Sequence, residues 1–288
     1  MRQMLRPYGK FPVISKRAKM YNDQNVTEIV QKILSSKKYK SIYDKTVERV
    51  VKQCLEKYEK KHSEKKARNI LHQIWSAYYD QKPDYKNILD KFMSNVNNGG
   101  DAKQEILKLI SIQSSTSERI PILDDFYGKI FSVIGCPSSI IEHACGFNPL
   151  TTLWMNLPEN MKYQAFDIEN DLIDFLKSVI DFLNLSDRIE IRQGDVLIDE
   201  FDYADVVFML KFLPVIEQQQ KGSSLDVMRK QKCRYMVVSF PVKSLSGIEK
   251  GMSDFYSNWF KNLIKDEDWQ YDEILYNTEL VFVVQKDL

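Results

Sequence analysis

The sequence predicts an α/β protein, in which an all-helical N-terminal region precedes a mostly parallel sheet of seven strands that ends in an antiparallel hairpin. Three observations support this fold class. Apolar residues recur at helical spacing between residues 26 and 109, short apolar runs alternate with helical segments from residue 138 onward, and the last two runs are close enough to pair antiparallel. A chain of 288 residues is long enough for one large core or two modest ones.

The first 25 residues predict a flexible basic arm. They contain six Lys or Arg residues and no acidic residue before Asp23. Pro7, Gly9 and Pro12 would interrupt any helix in this stretch. We therefore separate residues 1–25 from the helical domain that follows.

Residues 26–112 predict a domain of three or four helices. Its apolar residues recur three and four positions apart, at Ile29, Val30, Ile33, Val47, Val50, Val51, Cys54, Leu55, Ile70, Leu71, Ile74, Trp75 and Tyr78. The run Asn-Asn-Gly-Gly at 97–100 predicts a loop before the last helix. The lysine-rich segment 57–66 has two explanations, a solvated helical face or a surface that contacts phosphate groups.

Residues 113–288 predict a second domain that opens with a capping box and a helix. The box is Ser-Thr-Ser-Glu at 115–118. It would place Arg119 in the first helical turn, where a cation opposes the helix dipole. A cation at that position favours an external anion as its partner.

Strands and helices alternate after this helix. The seven predicted strands cover residues 138–145, 163–167, 188–194, 205–210, 234–240, 271–276 and 279–285. One predicted helix begins near residue 149, and three more cover residues 171–184, 224–231 and 252–264. Asn277-Thr278 would connect the last two strands as a hairpin. A parallel sheet with a terminal antiparallel hairpin is typical of the Rossmann-like class I methyltransferase fold.

The segment 138–149, SSIIEHACGFNP, predicts a buried strand that breaks into a tight turn at Ala144-Cys145-Gly146. Asp167 ends the next apolar run about twenty residues later, where an acidic side chain binds a ribose diol in nucleotide-binding α/β folds. Only Gly146 remains of the three glycines that surround a pyrophosphate in a G-x-G-x-x-G loop, which argues against NAD and FAD. The pattern favours S-adenosylmethionine, and an ordinary strand-to-helix turn is the alternative.

Two further segments predict the parts of this site that contact adenine and the methyl acceptor. Asp195 could accept from the adenine amine while Val196 donates its backbone N–H, and an aspartate that caps its own turn is the alternative. The segment 209–214 has neither an Asn/Asp-Pro-Pro-aromatic motif nor a Pro-Cys nucleophile. These absences favour an acceptor that is already nucleophilic, such as guanine N7.

Charge is divided unevenly along the chain. Residues 1–120 contain 25 Lys or Arg and 13 Asp or Glu, whereas residues 121–288 contain 16 and 27. The resulting net charges of +12 and −11 predict that the first half binds a polyanion, with nucleic acid as the natural candidate. Lysine-rich helices that only face solvent are the alternative.

Composition argues against membrane, metal and disulfide chemistry. No apolar run approaches membrane-spanning length and the basic N-terminus lacks the apolar stretch of a signal peptide, so we expect a cytoplasmic protein. The four cysteines and three histidines have no ligand spacing, which predicts neither disulfides nor a metal site.

Six segments resemble the aminoglycoside-resistance 16S rRNA (guanine-N7) methyltransferases of the Arm/Rmt type. They are LHQIWSAYY (71–79), SSTSERIPILDDFY (114–127), SSIIEHACGFNPL (138–150), YQAFDIEN (163–170), DVVFMLKFLPVIEQQ (205–219) and SFPVKSLSGIEKGM (239–252). The resemblance covers residues 27–285. It implies a helical rRNA-docking domain, a class I methyltransferase domain, S-adenosylmethionine as cofactor, and methylation of one decoding-site guanine of 16S rRNA in the 30S ribosomal subunit. We expect the protein to be a monomer.

The resemblance also implies roles for individual residues. The cofactor residues would be Arg119 (methionine carboxylate), Glu142, Ala144 and Gly146 (first loop), Asp167 and Ile168 (ribose), Asp195 and Val196 (adenine) and Leu210 (methyl). The residues that position the acceptor would be Leu210, Lys211, Lys243 and Lys250, with RNA contacts from Ser246 and Met252. The charge division, rather than the resemblance, predicts that Lys60, Lys61, Lys65 and Lys66 contact phosphate. This assignment builds the cofactor pocket entirely from residues 113–288.

The first loop departs from the family pattern. Glu142, His143 and Ala144 stand where Asp, Phe and Gly are usual, and Ala144 occupies a position where a positive φ is expected. These departures motivate one alternative, a non-enzymatic rRNA-binding protein with a decayed methyltransferase fold. A small-molecule methyltransferase is the other.

Direct methyl transfer to N7 requires no general base, because the attacking lone pair carries no proton. The target guanine would be flipped or unpaired and stacked on an aromatic side chain. Phe147, Phe212 and Phe240 are the candidates for that side chain.

Overall fold

The computed structural model describes residues 22–76, 82–242 and 251–286. Residues 1–21 of the arm predicted at 1–25 therefore lie outside the described residues. Its last three residues are helical, because the side chain of Asn22 caps the first helix and accepts a hydrogen bond from the backbone N–H of Gln24 at 2.9 Å.

Helices α1, α2 and α3 form a bundle with an apolar core of its own. They cover Asp23–Leu34, Asp44–Lys57 and Lys60–Ser76. Val47, Val50 and Leu71 are fully buried in this core. The lysine-rich segment 57–66 is not one continuous helical face, because α2 ends at Lys57 and α3 begins at Lys60.

Helices α4 and α5 cover Tyr85–Asn97 and Ala102–Ile110, so the described residues of this region, 26–76 and 82–112, form five helices rather than three or four. The predicted loop lies between them. Phe92 and Ile106 are buried in the same apolar core as the sheet. The domain boundary after residue 112 stays a prediction, but the division in apolar packing falls between α3 and α4.

The sheet contains seven strands in the order β3-β2-β1-β4-β5-β7-β6. In chain order they cover Ser139–His143, Lys162–Asp167, Ile189–Gln193, Ala204–Leu210, Cys233–Pro241, Gln270–Leu275 and Glu279–Gln285. Strands β1 to β5 are parallel, and β7 is antiparallel to both β5 and β6. The predicted fold class is confirmed. The strand order reverses between β1 and β4, and α/β proteins bind ligands at such a switch point.

Helices cover both faces of the sheet. The remaining ones are α6 (Ser114–Ser117), α7 (Leu123–Ile134), α8 (Asn170–Phe182), α9 (Leu213–Gln219), α10 (Ser223–Lys230) and α11 (Met252–Ile264). On β4, Val206 and Phe208 pack in a layer with α4, α5, α7 and α8, whereas Val207 and Met209 pack with α9, α10 and α11. Within the three described ranges, no helix is long and apolar enough to cross a membrane.

The capping box predicted at 115–118 is wrong. Helix α6 has only four residues, Gln113 is its N-cap, and a 3-10 turn at Ile120–Ile122 separates it from α7. Pro121 explains the break, because its ring restricts Ile120 and removes a backbone donor. Arg119 therefore lies between two helices rather than in a first helical turn.

Two segments after β1 and β4 also differ from the prediction. The helix expected from about residue 149 is a 3-10 turn at Asn148–Trp154. Helix α9 was not predicted, although Pro214 at its second residue suits a helix start.

Candidate functional site

A pocket opens at the carboxyl ends of β1, β2 and β4, where the strand order reverses. Asp167, at the end of β2, is one of its lining residues. Ile42, Arg49 and Ile74 of the α1–α3 bundle line it as well. The expectation that the pocket is built entirely from residues 113–288 is therefore wrong.

Backbone hydrogen bonds hold the bundle at this edge of the sheet. The N–H of Tyr43 donates to the carbonyl of Ile168 at 2.8 Å, and the N–H of Asn170 donates to the carbonyl of Ser41 at 2.7 Å. These bonds place the start of α2 beside the residues that follow β2.

The loop after β1 has the backbone conformation expected from its small residues. Ala144 and Gly146 both have φ of 51°, and the positive φ expected at Ala144 is confirmed. A Cβ atom on Gly146 would lie 2.3 Å from Oε1 of Gln113, which accepts a hydrogen bond from the N–H of Phe147 at 2.9 Å. A side chain at 146 would therefore have to displace the Gln113 amide from its hydrogen bond with the N–H of Phe147.

Asp167 is held by three backbone donors. Its Oδ1 accepts from the N–H groups of Ile168 and Glu169 at 2.7 and 3.1 Å, and its Oδ2 accepts from the N–H of Gly146 at 3.1 Å. Burial raises the pKa of Asp167, and these three bonds oppose that rise. A carboxylate has about four acceptor sites, so one remains for a ligand hydroxyl.

Asp195 is bound by the helical bundle. Its Oδ2 accepts from Thr46 Oγ1 at 2.8 Å and from Arg49 Nε and Nη2 at 3.0 and 2.9 Å, while its Oδ1 accepts from the N–H of Leu197 at 3.0 Å. The alternative interpretation, an aspartate that caps its own turn, thus holds for Oδ1, whereas Oδ2 is bound by α2. Nothing in the sequence spacing connects α2 with Asp195.

Arg119 pairs with an acid of its own chain. Its Nε and Nη2 donate to the two oxygens of Glu279 at 3.1 and 2.6 Å, and its Nη1 donates to Asn148 Oδ1 at 2.6 Å. The side chain lines the pocket but is buried. The prediction of an external anion from the helix dipole is therefore wrong, because Arg119 does not lie in a first helical turn and already has Glu279, which sequence analysis missed, as a charged partner. The role of Arg119 toward the methionine carboxylate stays a prediction.

Leu210 and Lys211 separate at the end of β4. Leu210 lines the pocket, whereas Lys211 is buried with φ of 55°. The Nζ of Lys211 donates to Glu118 Oε2 at 2.7 Å and lies 3.5 Å from Glu279 Oε2. Lys211 is thus part of the buried charge cluster around Arg119.

Glu142 is buried beside the same cluster. Its Oε1 accepts from Asn148 Nδ2 at 2.8 Å, and its Oε2 is hydrogen-bonded with the hydroxyl of Tyr163. Burial raises the pKa of Glu142 to about 8, so this carboxyl group is largely protonated at pH 7. The neighbouring His143 is also buried, and burial lowers its pKa to about 4.

The candidates for stacking on the target base differ in exposure. Phe147 and Phe240 are fully buried in the two sheet cores, so neither can stack on a base. Phe212 lines the pocket and remains a candidate.

The residues predicted on the acceptor side are largely beyond the described part of the chain. Lys243, Ser246 and Lys250 fall in 243–250, outside the described residues. Met252 is half-buried at the start of α11.

The lysines predicted to contact phosphate are all exposed on α3. Lys60 pairs with Glu28 at 2.7 Å, and Lys61 pairs with Glu59 at 3.1 Å. The Nζ of Lys66 lies 5.3 Å from the ring centre of Tyr58. Exposed ion pairs of this kind are weak, so they leave the lysines available to an external anion.

The lining of the pocket fits a nucleoside. Asp167 keeps an acceptor site for a ribose hydroxyl, and Ile168, Val196 and Leu197 provide apolar contacts for a base. The Nη1 of Arg49 is buried and has no hydrogen-bond partner among the described residues. In the same part of the chain, no group of three His, Cys, Asp or Glu side chains is placed to hold a metal ion.

Comparisons with known proteins agree on one kind of enzyme. A family model described as "Ribosomal RNA methyltransferase (FmrO)" matches residues 35–283. The 16S rRNA (guanine(1405)-N(7))-methyltransferase of Proteus mirabilis is 30% identical over 278 residues, covering 92% of this chain and 99% of that protein. The enzyme of the same name from Micromonospora rosea is 32% identical over 270 residues, covering 92% and 98%.

Solved structures are similar over nearly the whole chain. The 16S rRNA methyltransferase RmtF in complex with S-adenosyl-L-homocysteine has a TM-score of 0.78 and 25% identity, covering 93% of this chain and 100% of that one. The 16S rRNA methylase RmtB has a TM-score of 0.75 and 25% identity, covering 91% and 98%.

Proposed function

This chain belongs to the ribosomal RNA methyltransferase (FmrO) family, and from that premise we propose that it transfers the methyl group of S-adenosylmethionine to N7 of a decoding-site guanine in 16S rRNA. The observation that carries the proposal is the similarity to relatives of this one named activity, at 30–32% identity over 92% of the chain. The pocket at the switch point supports it.

We assign the cofactor to this pocket. Asp167 would accept a hydrogen bond from one ribose hydroxyl, because one of its acceptor sites is open. Val196 and Ile168 would pack on the adenosine, and Leu210 would lie near the methyl group. Arg119 would reach the methionine carboxylate through donor hydrogens that Glu279 and Asn148 do not use, since a guanidinium has five.

The chain would contribute positioning rather than acid–base chemistry to the reaction. S-adenosylmethionine supplies the electrophilic methyl group when it is bound. The lone pair of guanine N7 needs no deprotonation, so no general base is required. The engagement of Lys211 with Glu118 and Glu279 supports this assignment, because its ammonium group is already bound inside the protein.

We propose further that the substrate is the assembled 30S subunit, that the enzyme acts as a monomer in the bacterial cytoplasm, and that the modification confers aminoglycoside resistance. The net charge of +12 over residues 1–120 supports docking to an RNA surface. A small-molecule methyltransferase has no use for such a surface.

The test is transfer of labelled methyl from S-adenosylmethionine to purified 30S subunits. Reduction followed by treatment with aniline breaks an RNA strand at 7-methylguanosine. The position of the break in the extracted 16S rRNA therefore identifies the modified base. We expect one cleavage site in the decoding region, and resistance to aminoglycosides in a sensitive bacterium that expresses the protein. Labelling of protein-free metabolites instead of subunits would contradict the proposal, as would an absence of cofactor binding in calorimetry.

A further inference from the structure

Helix α9 lines the pocket along one of its faces. Four residues share this face and line the pocket, namely Phe212 at the N-cap, Val215, Ile216 and Gln219. The last three follow Phe212 by three, four and seven positions, the spacing of residues on one side of a helix. The first three side chains are apolar, so Gln219 is a polar group at the end of an apolar wall.

The two ends of this face lie at different parts of the pocket. Phe212 is close to the end of β4, where the methyl group is assigned. Gln219 lies seven residues farther on, about 10 Å along the helix at about 1.5 Å per residue. At that end Arg49 joins Gln219 to Asp195, because its Nη2 donates to both side chains. Asp195 precedes Val196, which lines the pocket and is assigned to the adenosine. Gln219 therefore lies at the adenine end, away from the reacting methyl group.

The amide of Gln219 is oriented by Arg49. Its Oε1 accepts from Nη2 of Arg49 at 3.1 Å, so the planar amide directs its NH2 group to the other side. That NH2 group has no hydrogen-bond partner within residues 22–76, 82–242 and 251–286. Gln219 is half-buried, and its NH2 group is not one of the buried unpaired atoms in those ranges, so a ligand can reach it. An accessible donor at the end of an apolar wall suits an acceptor on the edge of a flat ring.

Adenine has two such acceptors beside its amine, N1 and N7. The backbone N–H of Val196 is expected to donate to one of them while Asp195 binds the amine. We propose that the NH2 group of Gln219 donates a hydrogen bond to the other ring nitrogen. This inference rests on the proposed function and deepens it, because α9 would then contribute a residue that selects adenine. Arg49 would be a positioning residue, since it orients the amide without touching the cofactor.

The experiment is calorimetric titration with S-adenosylhomocysteine and its 1-deaza, 3-deaza and 7-deaza analogues, each of which replaces one ring nitrogen by C–H. For the unmodified protein we expect the 1-deaza and 7-deaza analogues to bind about threefold to tenfold more weakly than the parent compound, the effect of one neutral hydrogen bond. The 3-deaza analogue should bind like the parent compound. In Gln219→Leu the parent compound should weaken by a similar factor, and one of the two penalties should disappear.

Gln219→Glu separates a direct contact from support of Arg49. Its carboxylate still accepts from Arg49 but has no NH2 group, so the same penalty should be lost. Gln218→Leu, at an exposed neighbouring position that does not line the pocket, is the matched control and should keep both penalties. Penalties that are absent from the unmodified protein, or unchanged in Gln219→Leu or in Gln219→Glu, would overturn the inference. Failure of the unmodified protein to bind S-adenosylhomocysteine would instead contradict the proposed function.

Discussion

Asp167 combines two tasks at a single side chain. Three backbone N–H groups fix its carboxylate and join the loop after β1 to the end of β2. The acceptor site that remains is the one proposed for the ribose. Loss of the carboxylate should therefore affect the loop and the ligand together.

We expect Asp167→Ala to abolish methylation while the protein stays folded and still binds the ribosomal subunit. A hydrogen bond to a charged acceptor contributes about 1.5–3 kcal/mol, so affinity for S-adenosylhomocysteine should fall about tenfold to a hundredfold. Calorimetry measures this loss, and Asp174→Ala, at an exposed position on α8, is the matched control. Near-normal binding by the Asp167 variant would show that the carboxylate does not contact the cofactor.

Glu142 and His143 make stability depend on pH in opposite directions. Burial raises the pKa of Glu142 to about 8 from its usual 4.5, so its contribution to stability is lost as pH rises through this interval. Burial lowers the pKa of His143 to about 4 from its usual 6.5, so its contribution is lost as pH falls through that interval. Between about pH 4.5 and 6.5 the two effects on the free energy of unfolding offset each other. Between about pH 6.5 and 8 only Glu142 changes the free energy of unfolding.

Glu142→Gln should therefore raise the free energy of unfolding most at pH 8. Between pH 6.5 and 8 the unmodified protein should lose up to about 1.4 kcal/mol per pH unit more than the variant, the effect of one proton held only by the folded state. Urea denaturation at pH 5, 6.5 and 8 provides the comparison, with exposed Glu200→Gln as control. Parallel pH profiles for the variant and the unmodified protein would mean that Glu142 is ionised in the folded state.

A cluster of buried charges joins the segment between α6 and α7 to the start of β7. Glu279 is fully buried and faces two cations, Arg119 and Lys211. Burial alone would raise the pKa of Glu279, but the charges of these two cations hold it below its usual range. Removal of this acid leaves Arg119 without a charged partner, whereas removal of Arg119 leaves Glu279 with Lys211.

We expect Glu279→Gln to lower the free energy of unfolding by about 3–5 kcal/mol, the cost of an uncompensated buried charge. Arg119→Met should cost less, because an ion pair remains. Urea denaturation at pH 7 ranks the two variants. Glu273→Gln, on β6, breaks a partly exposed pair with Lys261 of α11, should cost under about 1 kcal/mol and serves as the control. The opposite ranking of Glu279 and Arg119 would contradict this account.

Elements that carry their own periodicity were predictable from the sequence, and contacts between distant elements were not. The seven strands, α8 and α11 follow from apolar runs and helical spacing, and Asp167 follows from its place at a strand end. The capping box failed because Pro121 interrupts the helix within four residues. The pairs Arg119–Glu279 and Arg49–Asp195 join residues 160 and 146 positions apart, and no local pattern connects them.

The division of charge along the whole molecule has two structural consequences. Part of it holds the bundle on the sheet, since Arg49 pairs with Asp195 and Lys45 pairs with Asp199 at 3.3 Å. Lys82, between α3 and α4, pairs with Asp171 on α8. These pairs account for only a few of the 25 basic residues in 1–120. The exposed lysines of α3 belong to the remainder, and we propose that they meet an RNA surface, because the ion pairs of Lys60 and Lys61 are themselves exposed.

Reversal of four α3 lysines to glutamate, at 60, 61, 65 and 66, should weaken binding to the ribosomal subunit and flatten its salt dependence. Each lost phosphate contact removes about 0.7–0.9 from the slope of log affinity against log salt concentration. Filter binding at several salt concentrations measures the slope, and calorimetry with S-adenosylhomocysteine should give an unchanged affinity, because none of the four residues lines the pocket. A control reverses three exposed lysines of the other half of the chain, Lys221, Lys230 and Lys232. If the α3 variant and the unmodified protein have the same slope, this cluster is only a solvated face. The docking surface must then be sought among the other basic residues of 1–120, beginning with the six in the first 25.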